Sequence, residues 1–82
     1  MSSFEFTVRD PEGVHARPAG IITKAAKSLG GGLSITKGEK TVDAQKMFAL
    51  MGLGIKSGET ITVSSENEAA LAEFKKVLEE NL

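Results

Sequence analysis

The stretch Asp10-Pro-Glu-Gly-Val-His-Ala-Arg-Pro-Ala19 separates two segments of different hydrophobic period, and it decides the first elements of the fold. Before it, in residues 4–8, apolar and polar side chains alternate, which is the pattern of a strand with one buried face. In residues 16–29, small and apolar side chains instead recur at helical spacing. The proline and glycine between the two segments are typical of a turn. The sequence therefore predicts a strand, a turn and a helix in succession.

The middle of the chain predicts a hairpin and a short helix. Glycines at positions 30–32 end the first helix, because glycine adopts the backbone conformation that helix ends require. Apolar residues on both sides of a polar turn at 37–40 predict a β-hairpin over residues 33–42. Residues 44–51 are then predicted to form a short helix, for which the Asp43 side chain is the expected cap.

The last part of the chain predicts a strand and an amphipathic helix. Alternation returns in residues 59–63, and Ser65 with Glu68 three positions later has the spacing of a capping box. An apolar stripe then continues at helical spacing to the end of the chain. The whole order predicts a single α+β domain over residues 1–82. It would be an open-faced β-sandwich, with three helices on one face of a four-stranded, mostly antiparallel sheet.

The composition excludes several classes of protein. Of the 82 residues, 40% are hydrophobic and 26% are charged, as in an ordinary folded domain and unlike a disordered chain. One histidine and no cysteine provide no metal-ligand spacing, so we expect no metal site. The net charge is −1 and the four aromatic residues are all phenylalanine, which argues against nucleic-acid binding. The chain has no apolar run of about 18 residues and no signal peptide, so we expect a cytoplasmic protein that does not insert into membranes. We also expect it to be a monomer.

His15 is the first candidate for chemistry, because it precedes a helix that opens with Ala16, Arg17 and Pro18. A helix start presents unpaired backbone N–H groups and the positive end of the helix dipole, and both favour an anion. Ala16 and Pro18 lie in this first turn, so we expect the turn to support a phosphoryl group. Neutral imidazole is a usable nucleophile near neutral pH, and a guanidinium two residues on can pair with the transferred anion. A lone histidine at a helix start is also common as a surface or capping residue. These residues alone leave both interpretations open.

A docking surface is the second candidate. On the first helix, basic residues surround the apolar Ile21 on the face opposite the predicted core. The short helix has more apolar side chains than one face of two turns can bury, so some of them are expected at the surface. Adaptable methionine and aromatic side chains beside cations are typical of a protein-binding surface. Complete burial of the short helix is the alternative.

The segment Gly13-Val-His-Ala-Arg-Pro-Ala19 resembles the active-site motif of the HPr family, the histidine-containing phosphocarriers of the bacterial phosphoenolpyruvate-dependent sugar phosphotransferase system. The resemblance covers essentially the whole chain and includes a second matching segment, residues 42–55. It implies that His15 accepts a phosphoryl group on Nδ1 from Enzyme I and passes it to sugar-specific IIA domains, with Arg17 as the charge partner. It also implies a docking surface made of Gly20, Ile21, Lys24, Lys27, Met47, Phe48 and Met51.

The resemblance further implies a stoichiometric carrier, and not an enzyme, that needs no cofactor; Mg²⁺ would serve only the donor, Enzyme I. Where many relatives have a regulatory serine, this chain has Lys46, which implies that serine phosphorylation does not control it. Two other classes stay open. A regulatory interaction protein would tolerate loss of the His15 side chain, and a small anion- or metabolite-binding module would be stabilised by its ligand without covalent change.

Overall fold

Within residues 2–82, four strands and three helices follow one another in the predicted order. The computed structural model describes residues 2–82, so Met1, the first residue of the predicted domain, lies outside the described residues. The elements are β1 (Ser2–Thr7), α1 (Ala16–Ser28), β2 (Ser34–Lys37), β3 (Lys40–Asp43), α2 (Met47–Gly52), β4 (Thr60–Ser65) and α3 (Glu68–Asn81).

The strands form a four-stranded sheet in the order β1-β4-β2-β3, and each of its three pairings is antiparallel. Strand β4 pairs with β1 so that Phe4 lies opposite Val63 and Phe6 opposite Ile61. On its other edge β4 pairs with β2, and Ile35 lies opposite the same Val63. Because the side chains of a strand alternate between its two faces, these apolar residues share one face of the sheet. The hydrophobic core forms on that face.

The helices bury their apolar stripes against this face of the sheet. Helix α1 contributes Ala19, Ile22 and Ala26 to the core, and α3 contributes Phe74 and Leu78. All five side chains are at most 1% exposed. Burying one large apolar side chain contributes about 1.5–3 kcal/mol relative to leaving it in water. The core therefore fixes the position of α1, and with it the residue at which α1 begins.

The other face of the sheet is polar and open to solvent, as an open-faced sandwich requires. The hydroxyls of Thr7 and Thr60 form a cross-strand hydrogen bond of 3.0 Å, and those of Thr36 and Thr41 form one of 2.8 Å. Three of these four threonines are exposed. The alternation in the strands thus separates an apolar face under the helices from a hydroxyl-covered face in water.

Helix α2 begins later than the sequence predicts, at Met47 and not at residue 44. The Asp43 carboxylate accepts a hydrogen bond from the Gln45 backbone N–H at 2.9 Å, and the Asp43 carbonyl accepts one from the Lys46 N–H at 3.0 Å. These bonds close a turn in front of the helix, which is the usual competing role of an aspartate side chain. The predicted cap is therefore wrong. The N-cap position is Lys46, whose side chain makes no capping hydrogen bond.

Helix α3 is capped by Asn67 and not by Ser65. The Asn67 side-chain oxygen accepts a hydrogen bond from the Ala70 N–H at 3.1 Å. Ser65 is the last residue of β4 and is buried, and its hydroxyl accepts a hydrogen bond from the Asn67 N–H at 3.0 Å. The Glu68 carboxylate accepts a hydrogen bond from the Ser2 hydroxyl at 2.9 Å. The predicted capping box is wrong because β4 extends two residues beyond the apolar alternation.

Candidate functional site

The loop between β1 and α1 folds into a tight turn over residues 10–13. The Asp10 Oδ1 atom accepts a hydrogen bond from the Glu12 N–H, and the Asp10 carbonyl accepts one from the Gly13 N–H, both at 2.9 Å. Gly13 has a φ of +68°, in the left-handed region that disfavours side chains. A Cβ atom at this position would also collide with the carbonyl oxygen of Ile55. The shape of the turn therefore requires glycine at position 13.

Backbone hydrogen bonds fix both ends of this turn to the rest of the fold. The Asp10 N–H donates to the Leu82 carbonyl at 2.7 Å, and the Val14 N–H donates to the Ile55 carbonyl at 3.0 Å. The side chain of Val14 is buried in the core. The turn is thus held between the end of α3 and the segment before β4, and it presents the next residue, His15, from a fixed position.

His15 is the N-cap residue of α1, with extended backbone angles of φ −114° and ψ −177°. Its carbonyl accepts a helical hydrogen bond from the Ala19 N–H at 2.9 Å, while its side chain makes no capping bond. The N–H groups of Ala16 and Arg17 precede this bond, and Pro18 has no N–H, so the first turn leaves two backbone donors for a ligand. The imidazole itself is 35% exposed.

Two carboxylates from the turn approach the imidazole of His15. Its Nε2 atom lies 3.7 Å from Asp10 Oδ2 and 3.5 Å from Glu12 Oε2. Both distances are those of ionic contacts and are too long for good hydrogen bonds. The sequence analysis missed both residues, because a turn signal indicates a change of direction without showing which side chains return toward the helix. One signal in the sequence could have found them: Asp10 and Glu12 lie five and three positions before His15, in a turn that contains a proline.

Arg17 lies on the exposed surface next to His15, and both residues line an open cavity of about 310 Å³. Within residues 2–82 the Arg17 guanidinium makes no salt bridge, so its charge is available to an anion. Two further lining residues, Glu80 and Asn81, come from the end of α3. Sequence periodicity gives no sign that α3 reaches this cavity.

The predicted docking residues lie on α1 and α2, which pack against each other. Two of them are large apolar side chains in solvent, Ile21 at 43% and Phe48 at 88% exposure. The lysines of the predicted surface are also exposed, and its other members are half-buried. In α2 only Leu50 is fully buried, so the alternative of a completely buried short helix is wrong. Lys46 is exposed at the start of the same helix.

A charged contact supports the segment that anchors the turn. The Glu59 carboxylate accepts hydrogen bonds from the Lys56 N–H at 2.6 Å and pairs with the Lys37 ammonium at 3.0 Å. The backbone hydrogen bond from Lys56, followed by the Lys37 ammonium, lowers the pKa of Glu59 below its ordinary value of 4.5. The Lys37 ammonium also donates to the carbonyls of residues 53 and 54. These contacts hold the segment whose Ile55 carbonyl binds the Val14 N–H.

The described part of the chain has neither a cluster of metal-ligating side chains nor a membrane-spanning helix. No group of three or more histidine, aspartate or glutamate side chains in residues 2–82 is arranged to hold a metal ion. None of the three helices in this range is both long enough and apolar enough to cross a bilayer.

Known proteins resemble this chain in both sequence and fold. The family model described as the PTS HPr component phosphorylation site matches residues 2–80. The chain belongs to the HPr family. It is 41% identical over 75 residues to the phosphocarrier protein HPr of Streptomyces coelicolor, an alignment that covers 87% of this chain and 81% of that protein. It is also 34% identical over 74 residues to a multiphosphoryl transfer protein of Xanthomonas campestris pv. campestris, covering 90% of this chain but only 9% of that relative's length.

The HPr fold is confirmed by superposition on a solved structure. HPr-C-His from Thermoanaerobacter tengcongensis superposes with a TM-score of 0.90 at 25% sequence identity, covering 99% of this chain and 94% of that chain. The predicted open-faced sandwich, with its helices on one face of the sheet, is therefore correct. The family assigns the chain to the phosphocarriers of the phosphotransferase system, which are carriers and not catalysts.

Proposed function

We propose that this HPr-family chain accepts a phosphoryl group from Enzyme I on Nδ1 of His15 and passes it to a histidine of a sugar-specific IIA domain. The supporting observation is the place of His15, a half-exposed imidazole at the start of α1 that makes no capping bond and lies next to Arg17. In the accepting step, Nδ1 forms its bond to phosphorus as the bond to the Enzyme I histidine breaks. The donating step reverses this exchange. Because donor and acceptor are both imidazoles, the transfer is reversible.

The start of α1 supplies the positive groups that a phosphoryl group needs. The open N–H groups of Ala16 and Arg17 and the helix dipole favour negative charge at this end of the helix. The guanidinium of Arg17 adds charge-assisted hydrogen bonds in a fixed fork geometry. Phosphoryl transfer depends mainly on positioning and charge stabilisation, so an open cavity with these groups is sufficient.

The surface formed by α1 and α2 is the proposed docking site for both partners. The phosphoryl group has a single site on this chain, so Enzyme I and the IIA domain must each approach it from the solvent side. Exposed Ile21 and Phe48 supply apolar contacts, and Lys24, Lys27 and Lys46 supply positive charge. Basic residues around an apolar centre favour an acidic partner surface, and association should weaken as salt rises.

The proposed carrier role also implies where the protein acts, which cofactors it needs and how it is controlled. The carrier would act as a monomer in the cytoplasm, with no cofactor of its own, and Mg²⁺ would serve Enzyme I. Lys46 occupies the position of the family's regulatory serine and has no hydroxyl to phosphorylate. Control of this chain would therefore not use serine phosphorylation at that position.

The proposal is tested by the intact mass of the protein after incubation with phosphoenolpyruvate, Mg²⁺ and a bacterial Enzyme I. We expect the wild type to gain one phosphoryl group that is labile in acid and stable in alkali, because the N–P bond of a phosphohistidine has these properties. The variant His15→Ala should gain none. A wild type that stays unmodified beside an HPr that the same Enzyme I does phosphorylate would contradict the proposal and favour a regulatory interaction protein.

A further inference from the structure

The two carboxylates beside His15 contact one particular nitrogen of its ring. Asp10 Oδ2 and Glu12 Oε2 lie 3.7 and 3.5 Å from Nε2. Asp10 is held in place, because its other carboxylate oxygen accepts the Glu12 N–H and its own N–H donates to the Leu82 carbonyl. Its side chain is only 27% exposed, whereas that of Glu12 is 74% exposed. One partly buried, hydrogen-bonded carboxylate and one exposed carboxylate thus face Nε2.

The protonation of Nε2 decides how well the phosphorylated ring can give up its phosphoryl group. With phosphorus on Nδ1, Nε2 is the ring nitrogen that remains able to carry a proton. If it keeps the proton, the bond between Nδ1 and phosphorus breaks to leave neutral imidazole, with the proton still on Nε2. If it has lost the proton, the leaving group is imidazolate, a much stronger base and a poorer leaving group. The acceptor nitrogen forms the new bond to phosphorus in both cases.

We propose that Asp10 and Glu12 are positioning residues that keep the Nε2 proton on the phosphorylated His15 ring, so that it leaves as neutral imidazole. Negative charge within about 4–6 Å favours the protonated, cationic form of a ring. The other charged groups that line the cavity are Arg17, from α1, and Glu80, from α3, and neither forms an ion pair with the ring within residues 2–82. This inference rests on the proposed function. It names the residues of this chain that assist the step in which His15 gives up its phosphoryl group.

The test compares two double variants that lose the same charge. Asp10→Asn with Glu12→Gln removes both carboxylates, and the asparagine keeps an oxygen to accept the Glu12-position N–H. Glu39→Gln with Glu66→Gln is the control, since both of these residues are exposed and lie in other loops. Each protein is phosphorylated by Enzyme I and examined by long-range ¹H–¹⁵N NMR of the ring and by single-turnover transfer to a IIA domain.

We expect the Asp10/Glu12 double variant to lose the Nε2 proton of its phosphorylated ring at a lower pH than the wild type, because no carboxylate then faces that nitrogen. Transfer to the IIA domain near neutral pH should be about fivefold slower. The control variant should match the wild type in both measurements. Glu12→Gln alone, which changes only an exposed side chain, should show a smaller shift in the same direction.

Three results would overturn the inference. Equal proton loss and equal transfer rates in the double variant and the control would show that the carboxylates neither hold the proton nor assist the transfer. Slower transfer with unchanged proton loss would show that they act through partner docking or loop structure. A wild type that Enzyme I does not phosphorylate would remove the proposed function itself, and this inference with it, which distinguishes that failure from the other two.

Discussion

Around the single imidazole of His15, positive and negative groups act on different atoms. The open N–H groups at the start of α1 and the Arg17 guanidinium suit a phosphoryl group, whereas Asp10 and Glu12 contact Nε2. A count of the charged side chains around the ring gives one positive residue, Arg17, against three negative ones, and would suggest a poor site for an anion. The atom that each charge faces is what determines its effect on the reaction.

Replacing Arg17 by glutamine tests the proposed charge partner. We expect phosphorylation by Enzyme I to slow by about tenfold or more, because hydrogen bonds to a charged group contribute about 1.5–3 kcal/mol. The free energy of unfolding should change by less than about 0.5 kcal/mol, since the side chain is exposed and makes no salt bridge within residues 2–82. Initial rates by mass spectrometry and denaturant unfolding measure the two quantities.

Arg9→Gln is the matched control, because this arginine lines a different cavity from that of His15. It should be phosphorylated at the wild-type rate. Equal rates for the Arg17 variant and this control would show that the guanidinium does not stabilise the transferred group.

At the residue scale, sequence reasoning finds neighbours along the chain and misses neighbours in space. His15 and Arg17 are two positions apart at a helix start, so their proximity follows from local geometry. Asp10 and Glu12 reach the ring only because a turn closes on Gly13. Glu80 arrives from the other end of the chain, when α3 packs against the sheet. Nothing in the periodicity of α3 specifies that Glu80 lines the same cavity as His15.

At the element scale, two side chains of the short helix α2 that lie only two positions apart differ completely in solvent exposure. Leu50 is 1% exposed, whereas Phe48 is 88% exposed. The surplus of apolar residues in this segment predicts that some of them face water, and the structure identifies Phe48. The start of the helix is less predictable, because the Asp43 carboxylate can either cap a helix or close a turn. The backbone hydrogen bonds of that turn decide between the two.

Two alanine variants of α2 separate docking from folding. Phe48→Ala should raise the carrier concentration that half-saturates Enzyme I severalfold while changing the unfolding free energy by less than about 0.5 kcal/mol. Leu50→Ala should instead lower the unfolding free energy by about 2–5 kcal/mol, because it leaves a cavity in the core. Transfer kinetics and denaturant unfolding of both variants provide the measurements.

The docking interpretation fails if Phe48→Ala leaves the half-saturating concentration unchanged. The exposed phenylalanine would then have no part in binding Enzyme I, and Ile21 with the lysines of α1 would have to account for association.

At the scale of the whole molecule, the site depends on a segment far from it in sequence. Lys37, at the end of β2, donates to the carbonyls of residues 53 and 54 and pairs with Glu59. The Ile55 carbonyl, between these contacts, accepts the hydrogen bond from Val14 that fixes one end of the turn before His15. The sheet thus supports the site through three backbone carbonyls, an arrangement that no sequence motif in this chain indicates.

The Glu59 contact predicts a specific dependence of stability on pH. The pKa of Glu59 is lowered in the folded protein from its ordinary value of 4.5, so its ionised form stabilises the fold fully above that pH. This contribution is lost as pH falls through the lowered value. Glu59→Gln should therefore lose less unfolding free energy than the wild type as the pH is lowered below about 4.5.

Denaturant unfolding at a series of pH values measures this difference, with Glu39→Gln as the control. Glu39 is an exposed glutamate in the β2–β3 turn, and its removal should leave the wild-type acid dependence. If the Glu59 variant has the same acid dependence as this control, the contact with Lys37 and Lys56 does not stabilise the fold.

Gly13 shows that the residues of the motif at positions 13–19 are required for different reasons. Its backbone angle and the nearby Ile55 oxygen both exclude a side chain, although glycine itself has no group that could react. In a random mutational library selected only for folding, position 13 would remain glycine while position 15 varied. A search pattern that requires this glycine two positions before the histidine therefore detects the bend of the loop, whereas the proposed reaction depends on the histidine and the arginine.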